Sequence, residues 1–360
     1  MIKYLGSKRL LLPHILAAFR ALPETRRVLD LFSGTARVGR ALKAAGFEVI
    51  ANDHLRFAAT LARCYVEADP AEVAEPAARL IEELNGIEGR AGYFTQTFCV
   101  DARYFHPKNG ARVDAIRDAI AARALDARLE AVVLTSLMEA ADRVDSTTGV
   151  QMAFLKQWAR RAHNDLRLRL PELVAGRGWA IEGEALHTAR EIVADAVYID
   201  PPYNQHSYLG NYHIWETLVR WDAPEAYGVA RKRVDCRERK SPFNSRRKIR
   251  DAFRELVASV RARHLVVSFN DEGFLARDEV VRVLAERGHV EVAAIPYGRY
   301  VGAKIGIHNP RGEKVGHVSH TRNRELLFIA SPDARAAQRA RLAVEAHIPP
   351  ERSSPSATLP

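Results

Sequence analysis

Val28-Leu29-Asp30-Leu31-Phe32-Ser33-Gly34-Thr35-Ala36-Arg37 carries the decision about the fold. Residues 28–32 are an apolar run of strand length, Ser33 to Ala36 make a turn of small residues, and helical spacing takes over from about Arg37 to Ala45 until Gly46 stops it. Glu48-Val49-Ile50-Ala51 is then a second strand, ending on Asn52-Asp53. Strand, glycine turn, helix and strand in that order form a βαβ unit, which requires parallel strands.

The same alternation recurs down the chain. Alanine and leucine spacing over residues 58–84 is helical, and Phe98-Cys99-Val100 ahead of Asp101 predicts a third short strand. Residues 113–170 are rich in Ala, Leu and Arg, with a polar break at Asp145-Ser146-Thr147-Thr148-Gly149, and predict a mainly helical insertion. Strands return at residues 196–199 and 265–269, the latter between helical patterns at 248–262 and 274–287, while residues 290–294 and 326–330 supply two closing strands. The fold class is therefore α/β, with a mainly parallel central sheet covered on both faces. Residues 1–103 and 190–330 make up the main domain and residues 104–189 the helical insertion. Residues 331–360 form a tail in which a helix gives way to disorder.

At 360 residues and 47% hydrophobic content the chain can bury a large core, so no disulfide or metal is needed to hold it together. Cys64, Cys99 and Cys236 have no metal-like spacing, and their odd number argues for reduced thiols. Neither a signal peptide nor a run of about 18 apolar residues is present, so the expectation is a cytoplasmic protein with no membrane association.

A net charge of +10 favours a polyanionic partner. Much of it lies in residues 231–250, where ten Lys or Arg residues face only Asp235 and Glu238, a net of +8. Arg231, Lys232, Arg233, Arg246, Arg247 and Lys248 are the phosphate-contacting candidates there, joined by Arg299 from a second basic stretch interleaved with Tyr297 and Tyr300. Binding through such residues weakens steeply with salt. The competing reading is a solvated basic loop.

Gly34 falls at a strand-to-helix turn, where the missing side chain permits positive φ and close approach of a ligand. Asp53, at the end of the next strand, can accept both hydroxyls of a ribose, although such residues also serve as plain helix caps. Asp101, closing the predicted third strand, can accept from the amino group of an adenine ring. Together these three describe a nucleoside pocket along strand carboxyl ends.

Asp200-Pro201-Pro202-Tyr203, directly after a buried strand, is the sharpest feature. Consecutive prolines fix φ and remove backbone donors, so the loop offers fixed carbonyl oxygens beside the Asp200 carboxylate. These acceptors suit both hydrogens of an exocyclic amine and aim its nitrogen lone pair at a sulfonium methyl. Tyr203 is placed to stack on a base rotated out of a duplex. Orientation and electrostatics would drive such a step without a covalent intermediate, and no cysteine lies in a Pro-Cys pair. The stretch from Gln205 to Thr217 is rich in aromatic and hydrogen-bonding side chains suited to ordering a substrate. His206 and His213 within it lack the partners that a metal site requires.

These motifs, with Lys3-Tyr4-Leu5-Gly6-Ser7-Lys8 at the amino terminus, occur in an order that resembles the alpha-class adenine-specific DNA methyltransferases. The resemblance spans most of the chain. It departs from the family at Gly6-Ser7, where Gly-Gly is usual, and at Thr35-Ala36 after the retained Gly34. It implies a Rossmann-like methyltransferase fold, S-adenosylmethionine as cofactor and double-stranded DNA as substrate. By the same resemblance Tyr4 and Lys8 lie near the methionine carboxylate, Phe32 and Gly34 line the cofactor, Asp53 binds ribose and Asp101 reads the cofactor's adenine. Asp200 to Tyr203 becomes the catalytic loop, Asp200 also touching the cofactor, and the insertion becomes the target-recognition region. A cognate restriction endonuclease is a possible partner on this reading. Adenine in RNA and the amino group of cytosine present an equivalent amine and stay as alternatives, as does a DNA-binding protein without catalysis.

Overall fold

The computed structural model describes residues 1–147, 149–270, 273–298, 307–308, 314–316 and 322–348. Its strands, in chain order, are β1 (Arg27–Asp30), β2 (Glu48–Asp53), β3 (Gly178–Glu182), β4 (Val193–Ile199), β5 (Ala226–Tyr227), β6 (Lys232–Arg233), β7 (Arg261–Asn270), β8 (His289–Gly298), β9 (Ile307–His308), β10 (Lys314–Gly316) and β11 (Arg322–Ser331). Seven of them build one sheet in the order β3-β2-β1-β4-β7-β11-β8. The first five are mutually parallel, and β11 runs antiparallel to both β7 and β8. The predicted α/β class with a mainly parallel sheet is what forms.

The central strands read as strands because both of their faces are covered. Val28, Tyr198 and Val266 point into one apolar layer, and their neighbours Leu29, Val197 and Val267 into the other. The first layer is closed by α1 (Leu12–Ala21), α2 (Arg37–Ala44), α3 (Arg56–Ala62), α4 (Pro70–Asn85), a single turn α5 (Tyr93–Thr95), α6 (Pro107–Ala121) and α7 (Ala127–Arg143). The second is closed by α8 (Ala185–Glu191), α11 (Ile249–Ser259) and α12 (Arg277–Ala285). Between them in sequence lie α9 (Tyr208–Asn211) and α10 (His213–Arg220), and α13 (Ala334–Glu345) packs beside α1.

Two expectations are corrected. Residues 98–100 are not a strand: Gln96–Val100 continues the turn of α5 as a π-helical segment. The buried Asp114 carboxylate accepts the backbone N–H groups of Gly92 (2.9 Å), Phe94 (2.9 Å) and Thr95 (2.8 Å), the donors that a helix start leaves orphaned. Phe98 and Cys99 owe their apolar character to packing in the core, with Phe98 against Phe94 and Tyr104. The third parallel strand is instead β3, so the insertion assigned to residues 104–189 stops short of residue 178.

The helices expected in the insertion pack into the main core. Helices α6 and α7 bury Val113, Ile116, Val132, Val133 and Leu137 in the same core as α3 and α4. Among the described residues of 144–177 there is only one helical turn, Arg160–His163, and the segment hangs on polar anchors. Asp145 accepts from Lys3 Nζ and Arg161 Nε, both at 2.8 Å. Gln151 is fixed to the start of α10, accepting through its side chain from Ile214 N at 2.8 Å.

Candidate active site

From β1 the chain continues to β2 and β3 on one side, whereas β4 lies on the other side and leads to β7, so the strand order reverses between β1 and β4. Ligands of open α/β sheets bind above the strand carboxyl ends at such a reversal. A pocket opens there, and it gathers Tyr4, Lys8, Phe32, Gly34, Asp53 and Asp200 from widely separated points of the chain.

The turn after β1 is held by the end of β2. Ser33 N donates to Asn52 O (2.9 Å), Asn52 Nδ2 donates to Leu31 O (3.0 Å), and Gly34 N donates to Asp53 Oδ2 (2.9 Å). Gly34 adopts φ +54°, and a Cβ there would come within 3.3 Å of the Tyr4 ring. Tyr4 closes over the turn, stacked between Tyr208 (5.2 Å) and Tyr212 (4.6 Å). The other oxygen of Asp53 accepts from Leu55 N at 2.9 Å, so the carboxylate is oriented by two backbone donors. Burial raises its pKa, offset by His54 and by those donors.

Asp30 is a third carboxylate of the pocket, beside Asp53 and Asp200. It is 1% exposed; Oδ2 accepts from Gly39 N at 3.0 Å and Oδ1 has no partner. Burial pushes its pKa up to about 7. Arg37 also lines the pocket, with Nε buried and unpartnered.

At the end of β4, Asp200 lies 3.0 Å from Lys8 Nζ. The same ammonium donates to Glu325 Oε1 at 2.5 Å, and that oxygen also accepts from Ser268 Oγ at 2.7 Å. Burial pulls the Lys8 pKa down, but the two carboxylates outweigh it and hold it well above the usual lysine value. Burial raises Asp200 to about 6, against the opposing pull of Lys8. Pro202 lines the pocket and Pro201 is buried beneath it. Tyr203 is half-buried: its ring lies 5.8 Å from Phe269, its hydroxyl accepts from Asn270 Nδ2 at 3.2 Å, and its carbonyl accepts from Phe274 N at 2.8 Å.

Several predicted residues fall elsewhere. Asp101, with no strand to carry it, is exposed, ion-paired with Arg231 and hydrogen-bonded by Gln96 Nε2 at 2.7 Å. The position expected for it, beside Asp53 at the end of the third strand, belongs to Glu182-Gly183-Glu184, where Gly183 N donates to Asp53 O at 3.1 Å. Lys8, expected beside a cofactor carboxylate, is instead paired with Asp200 and Glu325. Arg233 is only 4% exposed and is consumed by Asp222 (2.7 Å) and Asp235 (2.8 Å), which removes it from the phosphate-contacting set. Lys232 is half-buried, Arg246, Arg247 and Lys248 are exposed, and Arg299 lies outside the described residues. His213 is buried with Nε2 2.9 Å from Gln151 O, and desolvation lowers its pKa to about 3, so the ring is neutral. Sequence reasoning missed Asp30, Arg37 and Glu325. Asp30 stood inside the quoted motif, and Tyr208 inside the aromatic stretch.

A Rossmann-like sheet, a glycine turn tied to a strand-end aspartate, and an Asp-Pro-Pro-Tyr loop at the reversal point make up a methyltransferase-type fold. The family model for the D12 class N6 adenine-specific DNA methyltransferases matches residues 4–271, and the chain belongs to that family. It is 30% identical to "Modification methylase StsI" of Streptococcus sanguinis over 84% of this chain and 50% of the relative. Identity is 29% to "Type II methyltransferase M.FokI" of Planomicrobium okeanokoites, over 83% of this chain and 50% of the relative. With "Type II methyltransferase M.NlaIII" of Neisseria lactamica it is 28%, over 81% of this chain and 89% of the relative. The chain thus spans about half the length of the first two relatives. No helix among the described residues is long and apolar enough to cross a membrane.

Proposed function

We propose that this protein transfers a methyl group to the exocyclic amine of adenine in duplex DNA, with the base turned out of the helix. The observation that carries the reading is Asp200, held by buried Lys8 in the lining of the pocket at the strand-order reversal. S-adenosylmethionine fits the pocket's chemistry and, when bound, supplies the electrophilic methyl. Asp53 would accept from its ribose hydroxyls, and Asp30 Oδ1 and Arg37 Nε, both buried without partners, suit its ammonium and carboxylate. Gly34 leaves room where a side chain would meet Tyr4.

In the reaction the residues orient and stabilise. Asp200 and the carbonyl of Pro201 would accept the two amine hydrogens, and the carboxylate would offset positive charge building on the nitrogen. Tyr203 would stack on the extruded base. The exposed Arg246, Arg247 and Lys248 would contact phosphates, together with Lys232 and Arg299, and residues 104–177 would read the target. A cognate restriction endonuclease as partner, and a reducing cytoplasmic setting, are part of this reading.

Purified protein, labelled S-adenosylmethionine and mixed-sequence DNA test it. Label should appear in N6-methyladenine, and Asp200→Ala should abolish transfer while DNA affinity stays near wild type. Label confined to cytosine or to RNA would transfer the reading to those substrates, and no label from the wild-type protein at any salt concentration would sink it.

A further inference from the structure

Glu325 stands on β11, beyond residues 4–271 that the family model matches. It is paired across the sheet with Asn270 of β7, and only 7% of it is exposed. A buried carboxylate needs donors, and it has two: Lys8 Nζ at 2.5 Å and Ser268 Oγ at 2.7 Å. Lys8 is therefore shared between two acids, Glu325 on one side and Asp200 on the other. One ammonium against two carboxylates leaves the cluster one negative charge in excess. Surplus negative charge in a buried site is costly unless a cation arrives to meet it, and the proposed reaction brings one and develops more on the amine nitrogen.

We propose that Glu325 is a positioning residue for methyl transfer: anchored by Ser268, it fixes the Lys8 ammonium against one oxygen of Asp200 and supplies the second negative charge at the reacting centre. The inference rests on the methyltransferase reading given above. The groups facing Asp200 are Lys8 and Tyr4 of the amino-terminal segment, Asp30, Tyr198 of β4, Tyr208 of α9 and Glu325 itself. Of the acids, Glu325 touches the same ammonium as Asp200, so its removal hands Lys8 wholly to Asp200.

Glu325→Gln keeps the size and hydrogen-bonding capacity and deletes the charge. In the full chain it should lower kcat about tenfold, with S-adenosylmethionine affinity by calorimetry and thermal midpoint near wild type. Glu325→Asp should recover part of the loss. In cofactor-free protein carrying 13C-carboxyl aspartate, the resonance removed by Asp200→Asn should titrate at lower pH in Glu325→Gln than in wild type. Unchanged kcat together with an unmoved titration overturns the proposal. So does a loss of kcat that tracks losses of midpoint and cofactor affinity while the titration stays put, which marks a merely structural residue. If wild-type protein methylates no DNA, the functional reading falls and the proposal with it; an active wild type with an insensitive Asp200 overturns the role of Glu325 alone.

Discussion

Two aspartates that looked alike in the sequence have separate fates. Asp53 is oriented by Gly34 N and Leu55 N at the pocket wall, whereas Asp101 is spent on Arg231 at the surface. Asp53→Ala should weaken S-adenosylmethionine binding by about 1.5–3 kcal/mol, the range for hydrogen bonds to a charged group, and Asp101→Ala should leave it unchanged; calorimetry on both variants checks this. Asp200, raised to about 6 by burial against Lys8, is useful only as the carboxylate. Below that pH it takes up a proton and, on the mechanism proposed above, would no longer accept the amine hydrogen. Methyl transfer should therefore be flat above about pH 7 and fall close to tenfold per pH unit below 6, read from kcat between pH 4.5 and 8.

The most legible strands are those buried on both faces. Residues 28–32, 196–199 and 265–269 are nearly unbroken apolar runs because a layer of helices covers each side. Strand β3 defeated the same reading because it is a short edge strand with Trp179 and Glu182 exposed and a glycine at its start, whereas the other edge, β8, keeps a readable run at residues 290–294. That glycine is forced by packing: a Cβ on Gly178 would sit 2.3 Å from Val66 O. Gly178→Ala should cost about 1–3 kcal/mol as overpacking against backbone, measured as a drop in denaturant midpoint. Phe98-Cys99 misled in the opposite sense, since an apolar run of three residues is the same whether a strand or a helical turn buries it. In the site, the Asp-Pro-Pro-Tyr loop and the glycine turn were readable because each is contiguous. The partners of Lys8 were not, because Glu325 comes within reach only when β11 is laid beside β7.

Across the whole molecule, charge count overstated the cationic surface. Of the ten basic residues in 231–250, Arg231, Arg233, Arg239 and Arg250 are tied to carboxylates, while Arg246, Arg247 and Lys248 stand exposed. Changing those last three to Ala should flatten the dependence of log Kd on log salt by about one unit for each phosphate no longer neutralised. Arg233→Ala should leave that slope alone and lower stability by about 1–3 kcal/mol, because Asp222 and Asp235 lose their donor. Binding titrations across salt concentrations, paired with thermal melts, separate the two effects.

Strand order also bears on how the chain is made. β2 ends at residue 53, but its outer neighbour starts at residue 178 and the inner neighbour of β1 at residue 193. On a ribosome adding roughly 5–20 residues per second, the β1–β2 pair waits several seconds or more with both margins unmatched. Helices synthesised in that interval can cover its faces but not its open backbone donors and acceptors. Nascent chains stalled before residue 178 should therefore aggregate or recruit chaperones more than those that extend past residue 199.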